Sequence, residues 1–169
     1  MYELKPIHAE AIGRSLARAE RYRLLNEPQE AESICHDVLR ADPDNQEALV
    51  TLLLALTDQF GRDSHVTITH AREVLGRLTG EYERAYYGGV ISERWAKAQL
   101  RIGALGHIVH DWLDDAMTHF EQAAAISPPG NEDAILRWNA CVRTIQRDPR
   151  LRPRTDEPVE VGFDEPPAH

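Results

Sequence analysis

The sequence predicts an all-α fold, on three observations. Apolar residues recur at three- and four-residue spacings through most of the first 148 positions. The segments so marked are separated by breaks rich in Pro, Gly, Asp and Asn. An alanine followed twelve residues later by a proline occurs twice, at Ala31 to Pro43 and at Ala116 to Pro128.

Seven helices follow from these signals. Ile12, Leu16, Ala19 and Leu24 mark a helix over 8–25, which Asn26-Glu27-Pro28 breaks. Pro28 suits the first turn of the next helix, where a missing N–H costs nothing. That helix, over 29–41, places Ala31, Ile34, Cys35, Val38 and Leu39 on one face. Asp42-Pro43-Asp44-Asn45 ends it and supplies capping side chains for a third helix over 46–60. The third helix is apolar on two sides, through Leu49, Leu52, Leu53 and Leu56 and through Val50 and Leu54, so a cover is expected on both. Gly61-Arg62-Asp63-Ser64 reads as a turn, and a fourth helix runs to about Leu78. A long fifth helix spans Glu81 to about Leu105, with Gly88-Gly89 inside it as a place for close helix packing. A sixth covers Asp111 to Ile126, stopped by Pro128-Pro129-Gly130-Asn131, and a seventh covers Glu132 to Gln146.

Composition limits the function. The chain has 169 residues and a net charge of −9, from 19 Lys+Arg against 28 Asp+Glu. A helical domain over 1–148 is therefore expected, with neither a nucleic-acid surface nor a membrane surface. The longest apolar run, Leu49 to Leu56 broken only by Thr51, is too short for a bilayer. MYELKPIHAE shows no apolar signal core, and two cysteines, Cys35 and Cys141, provide no disulfide framework. A cytoplasmic protein is the expectation. Residues 149–169 carry five prolines and five carboxylates and read as a Pro-rich, acidic, disordered tail.

Ala31-x3-Cys35-x2-Val38-Leu39-x3-Pro43 resembles the second helix and exit turn of the tetratricopeptide repeat, whose pattern is W-x2-L-G-x2-Y, then A-x3-F, then P. Ala116-x3-Phe120-x2-Ala123 with Pro128 repeats the match, and Ala19-x2-Tyr22 resembles its G-x2-Y part. Ser15 and Arg18 stand where the family has tryptophan and leucine. The resemblance implies a right-handed superhelix of about three irregular helical hairpins plus a C-terminal capping helix.

It also implies a function: a non-catalytic adaptor or scaffold that holds a protein or peptide in a groove lined by the first helix of each hairpin. Aligned to the repeat, Leu16 and Glu20, then Val50, Leu54 and Asp58, then Tyr86, Val90, Glu93 and Arg94 face that groove. The last set depends on taking Gly89 as the small-residue position. Such a groove would suit an apolar peptide or helix. The alternative is that Val50, Leu54 and Tyr86 pack against the next helix. The family's lysine- and asparagine-based carboxylate clamp is absent, since the matching places hold Leu16, Glu20, Val50, Thr51 and Leu54.

Other chemistry has less behind it. His107-x2-His110 with Asp111, Asp114 and His119 is the one set that helical spacing could turn towards zinc, but no H-E-x-x-H or cysteine pair accompanies it. Neither a nucleophile motif nor a phosphate loop occurs, so no enzyme, no metal and no cofactor are expected. A homo-oligomer built through helix faces or tail exchange is the second function expected of such a chain. In the tail, Val159, Val161 and Phe163 alternate with Glu160 and Gly162, so this segment either docks in a groove or stays an unbound solubilising tail.

Overall fold

Seven α-helices and, among the described residues, no strand make up the computed structural model, which describes residues 1–62 and 65–152. The helices are α1 (Ile12–Leu24), α2 (Pro28–Ala41), α3 (Gln46–Thr57), α4 (Ile68–Leu75), α5 (Glu81–Arg101), α6 (Gly106–Ala125) and α7 (Asp133–Arg147). Single 3-10 turns at Ala9–Ala11 and Pro149–Leu151 flank them. The fold is all-α, as the sequence predicts. No helix among the described residues is long and apolar enough to cross a membrane.

The breaks act through the expected chemistry. Asn26 takes the left-handed conformation (φ 64°) that turns the chain between α1 and α2, and Pro28 opens α2. Asn45 caps α3, its Oδ1 accepting from the Ala48 N–H at 2.9 Å. The Thr67 N–H donates to Nδ1 of His70 at 3.1 Å, which occupies that imidazole at the start of α4.

Boundaries differ by more than one residue in five helices, among them α3, which ends at Thr57 and not at 60. Residues 9–11 tighten into a 3-10 turn, so α1 begins at Ile12 and not at 8. α4 ends at Leu75, and a turn then carries Leu78 into the core. α5 stops at Arg101, beyond which Gly103 adopts φ 82°. α6 starts at Gly106, five residues before Asp111, so His107 and His110 belong to its first turns. Pro149–Leu151, grouped with the tail by composition, turn back so that Leu151 is fully buried. The remaining tail, and Asp63 and Ser64, lie outside the described residues.

Each helix packs on its neighbours in the chain, and α3 also touches α1 and α5. Two apolar clusters result. One gathers Leu16, Cys35, Val38, Leu49, Leu53 and Phe60 from α1–α3 and the turn that follows, together with α4. The other gathers Val109, Leu113, Phe120, Cys141 and Leu151 from α6, α7 and the last turn. α5 stands between them, giving Ile91 and Ala98 to the first cluster and Val90 and Ala96 to the second. α3 is covered on both sides, with Leu54 in contact with both clusters.

α5 and α6 form the most extensive pairing, and glycine permits it. A Cβ at Gly89 would stand 2.6 Å from Cε1 of Phe120, and one at Gly88 would stand 3.0 Å from Nδ1 of His119. Gly89→Ala should therefore lower stability by about 1–3 kcal/mol despite alanine's better helix propensity. Gly13→Ala in α1, where a Cβ meets nothing within 4 Å, should leave stability unchanged or raise it by up to about 1 kcal/mol. Urea unfolding of the two variants checks the pair, and equal effects would contradict the close-approach account.

Candidate functional site

The nine residues that the repeat register places on a groove separate into two kinds. Leu16 (3% exposed) and Val90 (0%) are core residues, one in each cluster, so neither lines a surface groove. Their side chains face inward because α1 and α5 pack those positions against neighbouring helices. Val50 and Leu54 are half-buried against the core, and Glu20 is exposed. Tyr86 is half-buried, 5.7 Å from Tyr82 in a stacked pair, 5.1 Å from Tyr87 edge-on and 5.9 Å from Phe120. The apolar members thus serve packing. Asp58, Glu93 and Arg94 instead meet in a set of ion pairs.

Asp58 sits at the C-cap of α3 and receives two guanidinium groups. Arg23 of α1 donates through Nε to Oδ2 at 2.8 Å, and Arg94 of α5 donates through Nη1 to Oδ1 at 2.6 Å. The same Arg94 nitrogen lies 2.7 Å from Thr57 Oγ1 and 3.4 Å from the Leu54 carbonyl. Burial pulls the Arg94 guanidinium below the usual arginine range, with Asp58 acting against that shift. One carboxylate therefore serves two cations.

Glu93, the preceding residue on α5, pairs on the other side and is 1% exposed. Its Oε1 accepts from Lys97, one helical turn on, and its Oε2 accepts from Arg137 Nη1 of α7 at 3.0 Å. Burial opposes the Arg137 charge, but Glu93 and Tyr86 outweigh it and hold the guanidinium above its usual value. Adjacent residues of opposite sign on α5 thus tie that helix to α1 and α3 on one side and to α7 on the other.

A trench of about 420 Å³ opens beside this network, between the end of α3 and the C-terminal half of α5. Thr57, Asp58, Gly61, Arg62, Arg94, Lys97 and Arg101 line it, four cations against one carboxylate. Arg101 donates to the Phe60 carbonyl at 3.1 Å and Arg62 to Asn26 Oδ1 at 2.5 Å. Among the described residues neither of these two has a carboxylate partner. Sequence reasoning missed Arg23, Arg62, Lys97, Arg101 and Arg137. Arg94, Lys97 and Arg101 recur at i, i+3 and i+7, a one-face signal available on α5. No local pattern could have announced Arg23 and Arg137, which meet their partners across 35 and 44 residues.

Most other polar groups are taken up by structure, although the buried Tyr82 hydroxyl and His119 Nδ1 have no hydrogen-bond partner among the described residues. Cys35 and Cys141 are both 0% exposed, and burial raises each thiol from 9.0 to about 12, which suppresses the nucleophilic thiolate. Ser92 donates to Asp115 Oδ2 at 2.5 Å, while His119 Nε2 stands 3.9 Å from that same oxygen. The serine hydroxyl is thus taken up by a carboxylate, with no direct bond to the imidazole. His107 is exposed and His110 half-buried on α6. Among the described residues no three His, Cys, Asp or Glu side chains gather as a metal site. A wider trench of about 810 Å³ runs between α4, α5 and α6, but its arginines are engaged. Arg84 bonds the Leu78 and Thr79 carbonyls, and Arg72 lies 5.2 Å over Trp112.

No protein-family model, curated protein or solved structure matches this chain significantly. The functional reading therefore rests on the geometry.

Removing the Glu93 charge strands Arg137 and Lys97 without a counter-ion. Glu93→Gln should cost about 1–3 kcal/mol of stability, since both partners keep partial access to water. Glu20→Gln at an exposed site of α1 should stay within about 0.5 kcal/mol of the parent. Urea midpoints compare the two, and equal midpoints would mean that the Glu93 clasp carries no stability.

Proposed function

We propose that this chain is a non-catalytic protein-interaction module, a tetratricopeptide-like hairpin stack whose odd-numbered helices receive an acidic segment of a protein partner. One observation carries the reading. A chain of net charge −9 concentrates four cations against one carboxylate in the trench between α3 and α5. Like charges gathered without need raise the energy of a fold, so a face of this kind is suited to anionic groups of a partner. Part of the charge has an internal use, because Arg94 and Arg101 answer carbonyls at helix or turn ends. Lys97 and Arg94 also neutralise Glu93 and Asp58, so Arg62 and Arg101, which have no carboxylate partner among the described residues, carry the positive face.

The ligand chemistry differs from what the repeat register alone implies. With Leu16 and Val90 in the core, an apolar peptide or helix has little to bury against on this side. Carboxylates spaced along an extended peptide match guanidinium and ammonium groups spread over about 10 Å of α5, from Arg94 to Arg101.

Fluorescence anisotropy with a labelled hexaglutamate peptide tests this reading. Arg62→Glu/Arg101→Glu should weaken binding about tenfold or more, because reversal replaces attraction with repulsion at the trench. Arg14→Glu/Arg18→Glu makes the same change in net charge at a second recess, of about 530 Å³, which Arg14, Arg18 and Arg21 line on α1, and should have under about a twofold effect. Equal losses from both pairs would overturn the assignment.

A homo-oligomer is the second reading, favoured by α7. This terminal helix leaves Ile135 (43%) and Leu136 (63%) exposed beside an apolar hollow lined by Phe120, Ala124 and Trp138. Light scattering at rising concentration should show masses above 19.1 kDa that Leu136→Glu abolishes, and a constant monomer mass would remove this reading.

A further inference from the structure

We propose that the chain carries its own first occupant of the α3–α5 trench: the acidic segment 153–169 folds back in cis and competes with the partner. This inference rests on the reading of the trench as a receiver of acidic peptide.

The point of departure favours it. Leu151 is sealed into the second cluster, and the Arg150 carbonyl packs so closely on Gly106 that a Cβ there would collide with it. Gly106 opens α6 only five residues after Arg101, the last residue of α5 and one wall of the trench. The chain thus leaves the described structure at the same corner at which the cationic row begins. Seventeen residues follow Arg152. In extended form they reach on the order of 50 Å, several times the length of the row.

Charge and apolarity both match. The segment offers Asp156, Glu157, Glu160, Asp164 and Glu165 against a single arginine, Arg154. The trench offers Arg62 and Arg101, which have no carboxylate partner among the described residues, beside Arg94 and Lys97, which are paired with Asp58 and Glu93. Between the carboxylates stand Val159, Val161 and Phe163, and the α5–α6 corner exposes Ile102 (63%) and Leu105 (62%), large apolar side chains with no cover among the described residues. An extended segment alternates its side chains, so one face can set apolar groups on that corner while the other turns carboxylates towards the row. A tethered ligand acts at millimolar effective concentration, enough for a weak contact to compete with a partner in trans.

A spin label on Gly162→Cys in the full chain tests the contact directly, since the two native thiols are buried and leave the new cysteine as the reactive one. In low salt the label should broaden amide signals at 57–62 and 97–105. The effect should fade in high salt and with Arg62→Glu/Arg101→Glu. Broadening confined to 14–25, an absence of broadening, or broadening that appears only when labelled and isotope-enriched copies are mixed would each overturn docking in cis. A second measurement separates this inference from the reading beneath it. Full-length protein with Asp156→Asn, Glu157→Gln, Glu160→Gln, Asp164→Asn and Glu165→Gln should bind hexaglutamate on the order of tenfold more tightly than the parent. Equal, measurable binding by both forms overturns the tail's role and leaves the trench a receptor. Binding by neither removes the receptor reading, and the spin label then decides the tail alone.

Discussion

The fold depends on how α5 disposes of two adjacent charges. Glu93 is buried and accepts from Lys97 and Arg137, while Arg94 turns to Asp58, which also holds Arg23. A buried carboxylate without partners costs several kcal/mol, so the Glu93 position fixes where α7 can lie. Arg94 imposes the same condition on the end of α3. Burial of apolar surface supplies the larger share of stability in both clusters, but it is indifferent to small shifts of one helix along another. Hydrogen-bonded charges are not indifferent. They set the register of α1, α3, α5 and α7, and the trench is a consequence of that register.

Close packing on the opposite side of α5 makes this arrangement possible. Gly88 and Gly89 let α6 approach until Phe120 stands where a side chain would otherwise be. With α6 that near, Val90 is enclosed, and the apolar positions of α5 are used up within the two clusters. The residues left over at the C-terminal half of α5 are Arg94, Lys97 and Arg101. Arg101 is exposed and Arg94 and Lys97 are half-buried, which places three cations along one recess in a chain with an acidic balance.

Much of the fold was legible in the sequence, because helices announce themselves through local chemistry. Asn26, Pro28 and Asn45 each act within three residues of their own position, so the breaks they cause show in the sequence. The start of α6 is the exception: Gly103 and Gly106 resemble loop punctuation, and the helix begins five residues before Asp111. Gly106 is in fact needed in the helix, where the Arg150 carbonyl crosses it, and that contact spans 44 positions in the sequence. The site was legible only in part. Asp58, Glu93 and Arg94 were named from the repeat register, but the register also named Leu16 and Val90, which the clusters absorb. Whether a residue one helical position away faces solvent or core depends on the rotation of the helix. Here that rotation is tied to Arg23 and Arg137, whose pairings leave no local trace.

A recess of this kind connects the chain's electrostatics to its use: cations gather between α3 and α5 although the net charge is −9. The most direct test of that claim is an amide chemical-shift titration of the full chain with hexaglutamate in low salt. The account predicts that the largest shifts fall on residues 57–62 and 94–102 and vanish in Arg62→Glu/Arg101→Glu. Shifts centred on 14–25 or on 72–85 and 119–126, or spread evenly over the surface, would contradict it.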